Sequence, residues 1–126
     1  MRLEKRVALV VGGAGSMGSS VAKIFAKNGA AVCVADVDID RAREVSEQIC
    51  EQGGQSVFTE LDVCALDDWS HAVEKVESTW GRLDIMANLS GANIRVDFDE
   101  QTLDMWQKII DVNLTACFAG VKAVIP

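Results

Sequence analysis

The chain has 126 residues, 49% hydrophobic and 25% charged, a composition that fits one soluble globular domain. Its formal net charge of −7 argues against nucleic acid or an anionic membrane surface as a partner. No apolar run approaches the ~18 residues that a membrane-spanning helix needs. The apolar run after the basic start is short and leads straight into glycines, which argues against a signal peptide.

Residues 7–11 are all apolar, a length that predicts a strand buried on both faces. Glycines follow at 12, 13, 15 and 18, and Met17, Val21, Ile24 and Phe25 recur at helical spacing. That spacing predicts a helix over residues 16–28, with Gly29 as its stop. A strand, a glycine turn and a helix opening at the turn make a phosphate cradle. Backbone N–H groups can approach a pyrophosphate closely, and the helix start offers unpaired donors and partial positive charge. Gly13-x-Gly15-x-x-Gly18 fits the dinucleotide fingerprint. The candidate contacts are Gly12, Gly13, Gly15, Ser16, Met17 and Gly18. Ser16 carries two readings, a hydroxyl donor to phosphate or a helix N-cap.

Residues 31–35 predict a second buried strand, and it ends on Asp36, 18 residues after Gly18. A carboxylate at about that distance is what the dinucleotide pattern uses to accept hydrogen bonds from the adenosine ribose. Apolar Val37 beside it adds no cation for a 2′-phosphate. Asp36 therefore favours NAD over NADP. Arg41 and Arg43 are the counter-argument for NADP, but they fall on the next helix and read as a solvated charged face with Glu44 and Glu47.

That second helix is capped by Asp38 or Asp40 and reaches about Gln52, with Ala42, Val45 and Ile49 inward. A third strand covers residues 55–61 and closes on Asp62 and Val63. Leu66, Trp69, Val73, Val76 and Trp80 mark a third helix, which Gly81 ends. A fourth strand covers residues 83–89 and runs into Ser90 and Gly91. After a polar, acidic loop, Thr102 caps a helical stretch carrying Leu103, Trp106, Ile109, Ile110, Leu114, Cys117, Phe118 and Val121. Alternating strands and helices imply right-handed crossovers and a parallel sheet covered on both faces. The expected architecture is a Rossmann-type doubly wound α/β domain with strand order 3-2-1-4.

Cys33, Cys50, Cys64 and Cys117 form no C-x-x-C pair. They read as reduced core thiols, Cys33 on a strand and Cys117 on an apolar helix face, which implies a cytoplasmic location and no metal site. His71, the only histidine, reads as a solvated helix residue.

Several segments, spread over the whole chain, resemble the short-chain dehydrogenase/reductase family. They are VGGAGSMG, CVADVD, LDVCALDDW, WGRLDIMANLSG and IIDVNLTACFAGVKAVIP. The resemblance implies that Asp62 and Val63 lie against the adenine. It also implies that Asn88 and Gly91 match the ends of an Asn-Asn-Ala-Gly motif. Asn113 would be the asparagine that organises a water relay in the Asn-Ser-Tyr-Lys active site. Against the usual Thr-Gly-x-x-x-Gly-x-Gly turn, Val11 replaces threonine and Ser16 the middle glycine. Two registers remain, one through Gly12 and Gly18, the other through Gly13, Gly15 and Gly18. Leu89 and Ser90 replace the inner Asn-Ala.

The resemblance also implies hydride transfer between nicotinamide and a small-molecule alcohol or carbonyl, and a homo-oligomer, dimer or tetramer, for the complete enzyme. Its general acid/base is a tyrosine four residues before a lysine, with a serine polarising the carbonyl. This sequence contains no tyrosine. The expectation is a single NAD(P)-binding domain over residues 1–126, incomplete at its C-terminus, that binds cofactor and turns nothing over alone. The competing reading is a non-catalytic nucleotide-binding or interaction module. Binding of S-adenosylmethionine, as in a methyltransferase, is a third.

Overall fold

The computed structural model describes residues Met1 to Pro126. Strands β1 (Val7–Val11), β2 (Ala31–Asp36), β3 (Gln55–Glu60) and β4 (Ile85–Asn88) form one parallel sheet in the order β3-β2-β1-β4. The two central strands are buried along their length because helices cover both faces. β1 pairs Leu9 with Cys33 of β2 and Met86 of β4. This register brings the carboxyl ends of β1, β2 and β4 level with one another.

Alternation along the strands sorts the core into two layers. Val7, Leu9, Val11 and Cys33 face Trp69, Ala72 and Val76 of α3 (Leu66–Trp80) and Ala116 and Ala119 of α5 (Ala116–Val124). Val10, Val32 and Val34 face Ala22 of α1 (Ser16–Lys27) and Ala42, Val45 and Ile49 of α2 (Ile39–Glu51). Burying these side chains drives the assembly, at about 1.5–3 kcal/mol for each large one.

Several expectations change. Met17 and Ile24 are exposed, and Gly18 and Ala22 are the buried positions of α1. The first helix lies so close to the glycine turn that only a glycine fits at position 18, while Val21 and Phe25 pack half-buried against the core. Ser16 is not the N-cap. Gly15 holds that position in extended conformation, with no side-chain cap. Asp38, not Asp40, caps α2 by accepting from the Arg41 N–H at 3.2 Å. In α3, Leu66 is exposed and Ala72 buried. β4 is shorter than expected, and Asp84 anchors its entry by accepting the Val7 N–H at 2.8 Å and pairing with Arg6 and Arg82.

The last helical stretch is interrupted. Thr102 caps α4 (Leu103–Ile110) by accepting from the Met105 N–H at 3.2 Å. Asp111–Thr115 then widens into a π-helical turn before α5. Trp106, Leu114, Phe118 and Val121 are exposed on this stretch. Cys117 is exposed, as are Cys50 and Cys64, so only Cys33 is the core thiol that the sequence led us to expect. Burial pushes the Cys33 thiol up to about 12. No helix is long and apolar enough to cross a membrane.

Candidate functional site

A cavity of about 720 Å³ opens at the carboxyl ends of the strands. In doubly wound sheets this crevice is where ligands bind. One wall is the glycine turn. Gly12 has φ +71°, a conformation that side chains disfavour, and it sits against the backbone of Leu89 and Ser90. A Cβ at Gly18 would collide with the Gly12 carbonyl oxygen and stand 2.7 Å from its carbon. Packing therefore joins Gly12 to Gly18, the first of the two registers. Gly13 lies beneath the turn, where a Cβ would stand 2.7 Å from Val34 Cγ1.

The turn leaves donors free. The N–H of Gly13 bonds to Ala35 O at 3.1 Å, that of Gly15 to Gly12 O at 3.2 Å and that of Ser19 to Gly15 O at 2.9 Å. The N–H groups of Ser16, Met17 and Gly18 donate to no protein acceptor. Three consecutive unpaired amides at an uncapped helix start are donors of the kind that can hold an anion. The Ser16 side chain is exposed, and its carbonyl accepts from the hydroxyls of Ser19 and Ser20.

Asp36 and Val37 form the next part of the wall. The Asp36 carboxylate is already engaged on both oxygens: Oδ2 accepts from the Ala14 N–H and Oδ1 from the Asp38 N–H, each at 3.0 Å. It holds the glycine turn to the strand end and keeps lone pairs for a ligand. Arg43 is drawn away, pairing with Asp40 at 3.4 Å and lying over the Phe58 ring. Asp62 and Val63 line the cavity from a turn after β3. There Asp62 Oδ1 accepts the Cys64 N–H at 2.9 Å, and the Val63 N–H has no protein acceptor.

The loop over residues 89–92 closes the far side, with Gly91 in the wall. Asn88 and Asn113 do not line the cavity; they hold this loop. Asn88 Oδ1 accepts the Ser90 N–H at 3.1 Å, and its Nδ2 reaches Cys117 Sγ at 3.8 Å. Asn113 clasps Ala92 twice, accepting its N–H at 2.9 Å and donating to its carbonyl at 2.7 Å. The π turn presents Asn113 for this clasp, a setting in which such turns recur.

Sequence reasoning missed the wall made by Asp104, Gln107, Lys108, Asp111 and Val112. Helical periodicity identifies faces but not which element a polar face will meet. It also missed Cys64 as a lining residue; burial first, then Asp62 and Asp111, push its thiol above the ordinary 9.0, and Lys108 opposes them. His71 is exposed, and no group of three side chains is arranged to hold a metal ion.

Sheet order, glycine turn and crevice define a Rossmann-type domain with the features of a nucleotide site. The family model for short chain dehydrogenases matches residues 6–126, and the chain belongs to that family. It is 37% identical over 125 residues to the 2,5-dichloro-2,5-cyclohexadiene-1,4-diol dehydrogenase LinX of Sphingobium indicum, covering 99% of this chain and 50% of that protein. With trans-4-hydroxycyclohexanecarboxylate dehydrogenase of Sinomonas cyclohexanicum the identity is 33%, over 99% of this chain and 51% of the relative. A crystal structure of hydroxysteroid dehydrogenase from Escherichia coli superposes with TM-score 0.93 at 26% identity, covering 98% of this chain and 52% of that one. The chain thus spans about half the length of the curated relatives it matches.

Proposed function

We propose that these 126 residues form the NAD-binding part of a short-chain dehydrogenase acting on an alcohol or carbonyl carbon. The observation that carries this reading is the row of unpaired amides at Ser16, Met17 and Gly18, one strand away from the Asp36 carboxylate. The amides, with Gly12 and Gly15 beside them, take the pyrophosphate. Asp36 accepts from the adenosine ribose hydroxyls, and its charge opposes a 2′-phosphate. Asp62 and Val63 take the adenine, whose N6 amine donates and whose N1 accepts. Gly91 approaches the cofactor from the loop that Asn88 and Asn113 hold in place.

A bound nicotinamide supplies the hydride acceptor or donor. Proton transfer is another matter. The sequence has no tyrosine, and a general base must reach its proton. As the resemblance implies, hydride transfer uses a tyrosine phenol, which this sequence lacks, and a serine that polarises the carbonyl, with Asn113 in the relay role. The names of two relatives, a cyclohexadienediol dehydrogenase and a hydroxycyclohexanecarboxylate dehydrogenase, support a ring alcohol as the substrate class. Exposed Trp106, Leu114, Phe118 and Val121 support self-association. The thiol inventory supports a cytoplasmic setting.

Calorimetric titration of the chain with NAD and NADP tests the proposal. NAD is expected to bind tighter by about tenfold or more, a modest yield for avoiding apposed like charges. Equal affinity would overturn the NAD assignment, and no binding of either would overturn the whole. The absence of tyrosine favours one second reading, a nucleotide-binding module without catalysis. Turnover of an alcohol by the chain alone would refute both that reading and the need for a further phenol.

A further inference from the structure

The turn that carries Asp62 and Val63 is fastened from behind by two consecutive residues of α3. Asp68 Oδ2 accepts the Asp62 N–H at 2.9 Å, and the Trp69 indole donates its Nε1–H to the Val63 carbonyl at 2.9 Å. The peptide between Val63 and Cys64 is held on both sides, because Asp62 Oδ1 accepts its N–H at 2.9 Å. Trp69 itself has no room to turn. It is 1% exposed, and its ring rests on Gly120 of α5, where a Cβ would stand 2.6 Å from Cη2. Trp69 does not line the cavity, yet the turn it fixes does, and the Val63 N–H in that turn has no protein acceptor.

We propose that Trp69 is a positioning residue for base recognition: its indole N–H holds the Val63–Cys64 peptide while Asp68 holds the Leu61–Asp62 peptide, so that the Asp62–Val63 peptide between them, whose carbonyl accepts the Ala65 N–H at 2.9 Å, turns the Val63 N–H toward the acceptor nitrogen N1 of adenine. This rests on the dinucleotide reading above. The chemistry makes a selective prediction. Adenine N1 carries a lone pair, whereas hypoxanthine N1 carries a hydrogen and would oppose the Val63 donor, and hypoxanthine O6 would face Asp62 where adenine offers its N6 amine, so the base preference reports the Asp62–Val63 turn as a whole. A well-placed donor therefore prefers ADP to IDP. A displaced one discriminates less, while the diphosphate and ribose contacts, common to both ligands, are unchanged.

The test is calorimetric titration of the full chain with ADP and IDP, for the wild type and for Trp69→Phe, with folding verified by thermal unfolding. Phenylalanine keeps an aromatic ring and removes the N–H. The wild type is expected to prefer ADP by roughly tenfold, the size of one hydrogen bond turned into an unpaired donor. In Trp69→Phe the preference falls by about threefold or more, with ADP affinity lost faster than IDP affinity. Gly120→Ala, which pushes the indole from the opposite side, moves the ratio the same way and decides the matter if Trp69→Phe does not fold. An unchanged ratio in a folded variant overturns the proposal, as does equal binding of ADP and IDP by the wild type. Failure of the folded wild type to bind ADP or NAD at all overturns the dinucleotide reading instead.

Discussion

Replacing Asp36 tests how far the carboxylate proposed for the ribose is also a structural fastener. Its two oxygens accept the N–H groups of Ala14 and Asp38, each at 3.0 Å, so it ties the glycine turn to the entry of α2 without any ligand. A hydrogen bond to a charged acceptor contributes about 1.5–3 kcal/mol, and Asp36 is half-buried, so water can replace part of each. Asp36→Ala removes both and is expected to cost about 2–3 kcal/mol in the nucleotide-free protein. With a urea slope of ~2 kcal/mol/M for a small domain, the unfolding midpoint falls by about 1–1.5 M. Asp36→Asn keeps one acceptor oxygen and should lose about half as much. The assay is urea unfolding followed by circular dichroism, without nucleotide. An unchanged midpoint in Asp36→Ala would refute the fastening role. A loss of NAD affinity could then be ascribed to the ribose alone.

Other expectations follow from the same packing. Gly18→Ala drives a Cβ into the Gly12 backbone, which has no side chain to yield, and should lower the melting temperature by ten degrees or more, about 2 kcal/mol or above; a wild-type melting curve would contradict the close approach. Thiol titration of the native chain should modify Cys50, Cys64 and Cys117 and leave Cys33 until unfolding; four fast thiols would contradict its burial. Because the folded Cys33 thiol is raised from 9.0 to about 12, its contribution is complete below pH 9 and is lost as pH climbs toward 12. Cys33→Ala should flatten that alkaline decline. Asp84 behaves oppositely. The Arg82 side chain, then the Val7 N–H, hold its carboxyl below 3.8, so its contribution is present above about pH 4 and lost as acid protonates the folded group. Asp84→Asn should make urea midpoints less dependent on pH below 4, and an identical acid limb would refute this.

The strands and their order were legible because short apolar runs between glycines leave little choice of period. The pairing of Asp36 with the glycine turn was legible because both lie within one βαβ unit. What escaped was tertiary. Of the four apolar positions that spacing marked in α1, Val21 and Phe25 pack against the core, whereas Met17 and Ile24 are exposed and Gly18 and Ala22 hold the fully buried positions. Asp104, Gln107 and Lys108 lie between the apolar positions of that helix, and their face closes the crevice. Cys117 looked like core, yet it is exposed and contacts Asn88. Its face was set by the π turn, which apolar periodicity cannot register because one residue more per turn leaves the composition unaltered.

That widened turn has an arithmetic consequence. Each helical residue advances the chain by roughly 100°, so one residue of slack rotates everything beyond Thr115 by about that angle relative to an unbroken α4. Deleting a single position between 111 and 115 would give a regular helix with better backbone geometry. The same deletion would swing Asn113 off Ala92 and turn Gly120 away from the Trp69 ring. The helix as built is thus a compromise in phase: its first half is set by the crevice, its second half by the sheet, and the loosened turn lets one continuous rod serve both.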